Sequence, residues 1–213
     1  MATKVKICGL KTEAALEAAL AGGADYVGFV FFPPSPRNLT PASAKALTAR
    51  ARGRAEVVAL MVDPDDALID QVVASAAPDI IQLHGQETPA RVAEVRARWG
   101  IPVMKALPVE TAQDARAALR FSPAADLILF DARAPAESTR PGGNGAPFDW
   151  RMLGGVKNEV AFVLSGGLTP DNVAEAIRLT GATAVDVSSG VESRPGEKDP
   201  ELIRRFLRAA KGV

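Results

Sequence analysis

Apolar residues along the 213-residue chain gather into eight short runs separated by amphipathic stretches. The runs span residues 5–10, 26–32, 56–62, 80–85, 103–109, 127–133, 161–168 and 184–191. They are rich in β-branched residues, and several are apolar on successive positions, as in Phe29-Val30-Phe31-Phe32 and Leu127-Ile128-Leu129-Phe130. Strands buried on both faces have this character, which predicts a parallel sheet covered by helices. The stretches between the runs carry helix signals. Thr12-Glu13-Ala14 and Thr40-Pro41 place a threonine at the N-cap, the second with proline at the first helical position. Asp63-Pro64-Asp65, Glu87-Thr88-Pro89 and Thr169-Pro170-Asp171 repeat that signal, and Gly22-Gly23 and Gly100 end their helices. A last helix over 199–210 sets Leu202, Ile203, Phe206 and Leu207 on one face.

Eight strands, each followed by a helix, call for an α/β fold. Eight units favour closure into a single (β/α)₈ TIM barrel, a catalytic domain over residues 1–213, with an open doubly wound sheet as the competitor. No Gly-x-Gly-x-x-Gly follows the first strand, which weakens a dinucleotide reading. One connection is long: residues 134–147, rich in Pro, Gly and Ser, after the sixth strand. Long loops in compact domains often carry function.

Charge then narrows the choice of partners. Lys plus Arg and Asp plus Glu are 25 each, and the two signs alternate along the helical stretches, so no basic stripe for nucleic acid is expected. The chain begins without a signal-like apolar segment and has no run of about 18 apolar residues, so the expectation is a cytoplasmic protein without a membrane span. One cysteine excludes an intramolecular disulfide, and one histidine argues against a zinc site, so neither metal nor cofactor is expected.

In a barrel, chemistry gathers where strands end and the next loops begin. Those positions hold Cys8, Arg37, Gln82, His84, Asp131, Ser165-Gly166-Gly167, Asp186 and Ser188-Ser189-Gly190. Small residues at the ends of the seventh and eighth strands let backbone N–H groups approach a phosphate, although such glycines also make plain tight turns. Cys8 lies at the rim before a turn, where a thiolate serves as a base; a buried cysteine that only fills space is the competing reading. Asp131 closes an apolar run, and a partly desolvated carboxyl suits a general acid, though a capping aspartate occupies such positions equally often. Arg37 reads as a carboxylate clamp or a solvated loop residue, and His84 as a participant or a structural histidine.

Taken together the motifs resemble those of the phosphoribosylanthranilate isomerase family of tryptophan biosynthesis. Lys4-Val5-Lys6-Ile7-Cys8-Gly9-Leu10 matches its opening strand, and Tyr26 to Phe31 with Ser35-Pro36-Arg37 its second strand and loop. Gln82-Leu83-His84-Gly85, Gly142-Gly143-Asn144-Gly145 with Phe148-Asp149-Trp150, Leu164 to Leu168, and Val185 to Glu192 match further signatures in order. The resemblance implies an Amadori rearrangement of a phosphorylated small molecule, with Cys8 as base and Asp131 as acid. It implies Arg37 on the anthranilate carboxylate, Gly166, Gly167, Ser188, Ser189 and Gly190 around the phosphate, and Asp186 on a sugar hydroxyl, with Gln82 and His84 as further substrate contacts. It also implies no cofactor, no nucleic-acid or membrane partner, and a monomer or homodimer. Residues 133–141 depart from the family by being longer and more polar. A two-aspartate ribotide isomerase fits less well because Cys8 holds the first-strand position, and a metal-dependent epimerase would need several histidines. A non-catalytic barrel is disfavoured by the joint presence of acid, base, clamp and phosphate turns.

Overall fold

The computed structural model describes residues 3–133, 141–142, 148–156 and 159–213. Eight parallel strands close into a barrel in sequence order: β1 (Lys4–Cys8), β2 (Tyr26–Phe31), β3 (Glu56–Met61), β4 (Ile80–Leu83), β5 (Val103–Val109), β6 (Leu127–Ala132), β7 (Phe162–Leu164) and β8 (Ala184–Val187). Pairing of β8 with β1, Val5 opposite Val185 and Lys6 opposite Asp186, completes the ring. The open-sheet alternative therefore falls, and the fold is a TIM barrel.

Helices cover the outside, at the predicted caps for Thr12, Thr40 and Thr88, while the helix expected to carry Pro64 in its first turn starts two residues later behind Asp65. Thr12, Thr40, Asp65 and Thr88 each accept a hydrogen bond from the backbone N–H three residues on, at the starts of α1 (Glu13–Ala21), α2 (Pro41–Ala51), α3 (Asp66–Ala76) and α4 (Pro89–Trp99). α5 (Ala112–Ala117) is short and continues as a three-ten turn over Ala118–Phe121. Two further expectations change. The helix expected at Thr169-Pro170-Asp171 begins later, as α6 (Val173–Thr180), because the Asn172 side chain bonds Thr169 N–H and holds a turn before it. Between β6 and β7 the described residues supply no α-helix, only a three-ten segment over Trp150–Gly155, where Gly154-Gly155 disfavours a longer helix. The expected glycine-rich signature at 143–145, and most of the long loop, lie outside the described residues.

One further element appears. Residues after β8 form an antiparallel hairpin, β9 (Glu192–Arg194) and β10 (Glu197–Lys198), before the terminal helix α7 (Pro200–Lys211). Ile203, Phe206 and Leu207 of α7 are buried, while Leu202 is half-buried.

The period of two along each strand decides what faces the barrel interior. Tyr26, Val58, Ile80, Met104, Leu129, Val163 and Ala184 pack together as its lower layer. Two residues further along, the same faces bring up Gly28, Gln82, Asp131, Ser165 and Asp186, and β1 presents Lys6 and then Cys8. Cys8 packs with Val30 and Leu60 in an upper apolar layer. The barrel thus ends, at its C-terminal mouth, in a ring of polar side chains on an apolar floor.

Candidate active site

That mouth forms a cavity of about 790 Å³ including its open top, within the usual range for a small-molecule site. Its wall contains Cys8, Arg37, His84, Asp131, Ser165, Gly166, Gly167, Asp186, Ser188 and Ser189, so ten of the residues singled out from the sequence meet in one place. Gln82 and Gly190 do not line it. Gln82 is fully buried behind His84, its amide nitrogen 3.3 Å from His84 Nδ1. Gly190 packs edge-on against the β7 loop, where a Cβ would run into the Leu168 carbonyl. The close approach of two loops is thus reason enough for that glycine.

On the β1 and β8 side, charge is buried densely. The Lys6 ammonium is fully buried and lies 2.9 Å from Asp186 Oδ1, with which β-sheet register places it in direct opposition. Ser165 Oγ donates to the other Asp186 oxygen at 3.3 Å. Burial works against the Lys6 ammonium, but Asp186 and the Cys8 sulfur outweigh it, so its pKa lies above the ordinary lysine value.

Cys8 itself is buried, and burial pushes its thiol up; Lys6 and Lys198 pull the other way without overcoming it, and Asp186 adds to the rise. This corrects the expectation of a rim thiol needing only modest lowering. The strand carries the sulfur below the rim, and its ionisation depends on the two cations near it.

Arg37, in the loop after β2, does not point into bulk solvent. Its Nε and Nη2 donate to the two oxygens of Glu192, both at 2.8 Å, and both side chains are at most 5% exposed. Lys198 Nζ donates to Glu192 Oε1 at 2.6 Å and to the Ser188 carbonyl and hydroxyl at 3.0 and 3.1 Å. Ser188 Oγ in turn donates to the Cys8 carbonyl at 3.2 Å. Burial raises Glu192, but the hydrogen bonds from Arg37 and Lys198 more than reverse it and hold the carboxyl at about 2. Burial brings Lys198 down to about 8 in spite of Glu192.

The opposite side is sparser. His84 Nε2 lies 3.3 Å from Asp131 Oδ2, and Ala132 N–H donates to Asp131 Oδ1 at 2.9 Å. The His84 ring thus lies between the Gln82 amide and the Asp131 carboxyl. Below His84 a buried pair fixes the β4 turn: Lys105 Nζ donates to Glu87 Oε2 at 2.6 Å and to the Gly85 carbonyl at 2.8 Å, while Glu87 accepts from Gly85 N–H. Gly142 sits directly over the pair, and a Cβ there would meet both the Asp131 carboxylate and the His84 ring.

At the end of β7, Gly166 and Gly167 have φ of 86° and 66°, the left-handed region in which a side chain is strained. Their need for glycine is therefore conformational first. Arg133, also in the cavity wall, pairs with Glu110 and Asp114, and Arg140 lies outside the described residues.

Sequence reasoning passed over Lys6, Lys198 and the bracing role of Glu192. Lys6 left a usable signal: a lysine flanked by Val5 and Ile7 in a doubly buried strand must be paired. Lys198 left none, since a charged residue beside Glu197 and Asp199 reads as solvated.

Comparison with known proteins agrees with this architecture. The sequence model of the N-(5′-phosphoribosyl)anthranilate (PRA) isomerase family matches residues 5–209. The N-(5′-phosphoribosyl)anthranilate isomerase of Rhodopseudomonas palustris is 56% identical over 213 residues, covering 100% of this chain and 98% of the relative. Phosphoribosyl anthranilate isomerase from Thermotoga maritima superposes with a TM-score of 0.89 at 35% identity, covering 99% of this chain and 100% of the other. A phosphoribosyl anthranilate isomerase in complex with reduced 1-(o-carboxyphenylamino)-1-deoxyribulose 5-phosphate gives a TM-score of 0.86 at 33% identity, with 99% and 100% coverage. With a closed eight-stranded barrel, one polar cavity at its C-terminal mouth and a family match over nearly its whole length, this chain belongs to the N-(5′-phosphoribosyl)anthranilate isomerase family.

Proposed function

We propose that this chain converts N-(5′-phosphoribosyl)anthranilate into 1-(2-carboxyphenylamino)-1-deoxyribulose 5-phosphate, with Asp131 as acid and Cys8 as base. The observation that carries the reading is that a carboxyl from β6 and a thiol from β1 reach the same cavity, beside two glycine turns and an arginine. An aldose-to-ketose rearrangement of an amine needs just such a pair.

Asp131 protonates the furanose ring oxygen. The C1′–O bond breaks, and the nitrogen lone pair forms the C1′=N iminium. The iminium makes the C2′ proton acidic, and the Cys8 thiolate removes it; the electron pair left behind forms the C1′=C2′ double bond and restores the nitrogen lone pair. The enolamine then loses its O2′ proton and gains one at C1′, giving the ketone. Proton transfer by positioned groups of this kind contributes about 10²–10⁴-fold each.

The remaining residues bind. Arg37 meets the anthranilate carboxylate, its plane already oriented by Glu192. The turns at Gly166-Gly167 and Ser188-Ser189 receive the phosphate, and Asp186 takes a sugar hydroxyl. Gln82 acts at one remove, through His84, and Gly190 shapes the phosphate turn by letting the β7 and β8 loops meet. No helix among the described residues is long and apolar enough to cross a membrane. Residues 1–213 work as one catalytic domain, and with a phosphorylated biosynthetic intermediate as substrate we place the activity in the cytoplasm.

Turnover is the test. The substrate carries a fluorescent anthranilate, and its rearrangement changes the emission. Purified protein should consume it in a single exponential under single-turnover conditions. A correctly folded preparation that leaves the emission unchanged would overturn the reading.

A further inference from the structure

We propose that Glu192, backed by Lys198, is a positioning residue that sets the plane of the Arg37 guanidinium and so makes recognition of the substrate carboxylate selective. The proposal rests on the reading of Arg37 as the carboxylate clamp.

An arginine in a loop has several rotatable bonds, and its fork recognises a carboxylate only when the guanidinium plane is held. Here the holding group is unusually complete. One edge of the guanidinium, Nε and Nη2, is engaged by both Glu192 oxygens at 2.8 Å. The same carboxylate accepts from Lys198 Nζ at 2.6 Å and from Gly196 N–H at 3.1 Å, so four donors fix it from two directions. All three ionic side chains are at most 5% exposed.

A stability role alone explains this poorly. Buried ion clusters contribute little net stability, and apolar residues of equal volume often do as well or better. What such a cluster supplies is orientation. The hairpin β9–β10 exists, in this view, to bring Glu192 and Lys198 beneath Arg37 at the cavity wall. The low pKa of Glu192, about 2, keeps it an anion at any working pH. Two cations against one anion also leave the cluster positive toward an incoming carboxylate. Lys198 extends the brace to Ser188 and through its hydroxyl to the Cys8 carbonyl, so the clamp and the base are held by one continuous chain of hydrogen bonds.

The test compares two ligands on four proteins: wild type, Glu192→Gln, Glu192→Asp and Arg37→Lys. The ligands are reduced 1-(2-carboxyphenylamino)-1-deoxyribulose 5-phosphate and its phenylamino counterpart lacking the ring carboxylate. Wild type should bind the first far more tightly. Glu192→Gln should shrink that preference roughly tenfold or more, the loss expected for a charged hydrogen-bond pair, while affinity for the counterpart stays put. Glu192→Asp keeps the charge but shortens the reach, and should give an intermediate preference in a folded protein if Glu192→Gln does not fold. A wild-type protein with no preference would remove the clamp reading and this proposal with it. A wild-type preference that Arg37→Lys reduces, but that both Glu192 variants leave intact, would overturn the brace alone.

Discussion

The two sides of the barrel mouth are built on different principles. Around Cys8, three cations and two anions, Lys6, Arg37, Lys198, Asp186 and Glu192, are packed almost out of reach of water. Around Asp131 there is one imidazole ring, one backbone N–H and a glycine overhead. The proposed roles explain the contrast. A thiol that burial pushes up must be drawn toward its anion by fixed positive charge, and buried charge is stable only when paired. An acid that must hold and release one proton is better served by few partners. The base side is therefore expensive in buried charge, and the acid side depends on shape.

The sharpest break comes from removing the groups themselves. Cys8→Ala and Asp131→Asn should each lower kcat by about 10²–10⁴-fold, with circular dichroism unchanged because the first removes a single sulfur atom and the second keeps the side-chain volume. A folded Cys8→Ala protein with wild-type kcat would return the cysteine to a packing role.

Next is Lys6→Met. It leaves Asp186 buried without its cation, so unfolding free energy should drop by about 3–5 kcal/mol, read from denaturant titration. Turnover should fall with it, since Cys8 loses the nearer cation. An unchanged midpoint would mean that the pair is solvated in solution.

How much of this was legible depends on periodicity. The strands and the caps at Thr12, Thr40 and Thr88 could be read because apolar runs and capping chemistry are local. The hairpin could not: strands of three and two residues, made of charged and small side chains, carry no alternation to read. The site divides the same way. Strand-end position located Cys8, His84, Asp131 and Asp186 in the cavity wall, because chain position and face follow directly from the period of two. It could not tell that Gln82, buried beneath His84, and Gly190, packed against the neighbouring loop, stop short of the cavity wall. The Arg37–Glu192–Lys198 cluster joins positions 155 residues apart and was invisible to any local pattern.

A pH series probes the base side more gently. Glu192 has its folded pKa depressed to about 2 from an ordinary 4.5, so the unfolded chain binds the extra proton between those values. Its stabilisation is complete above about 4.5 and is lost as pH falls through 2. The contribution is about 3 kcal/mol, and Glu192→Gln should flatten the acid limb of the stability curve by that order. An identical acid limb in the variant would mean that Glu192 is not held as an anion.

The smallest effect belongs to the acid side. Gly142→Ala should leave stability unchanged but push against the Asp131 carboxylate and the His84 ring. A displacement of about 1 Å costs about 10²-fold in rate, so kcat should fall by up to that factor. A normal kcat would mean that the loop yields without disturbing the pair.

The division of labour itself is tested most directly by substrate deuterated at C2′. Single-turnover rates should be measured for wild type, Cys8→Ser and Asp131→Asn. If Cys8 removes the C2′ proton, Cys8→Ser makes that step slower and should enlarge the isotope effect over wild type. If Asp131 opens the ring first, Asp131→Asn makes ring opening limiting, and its isotope effect should shrink toward unity. An enlarged effect in Asp131→Asn with none in Cys8→Ser would contradict the assignment of base and acid to the two sides of the mouth.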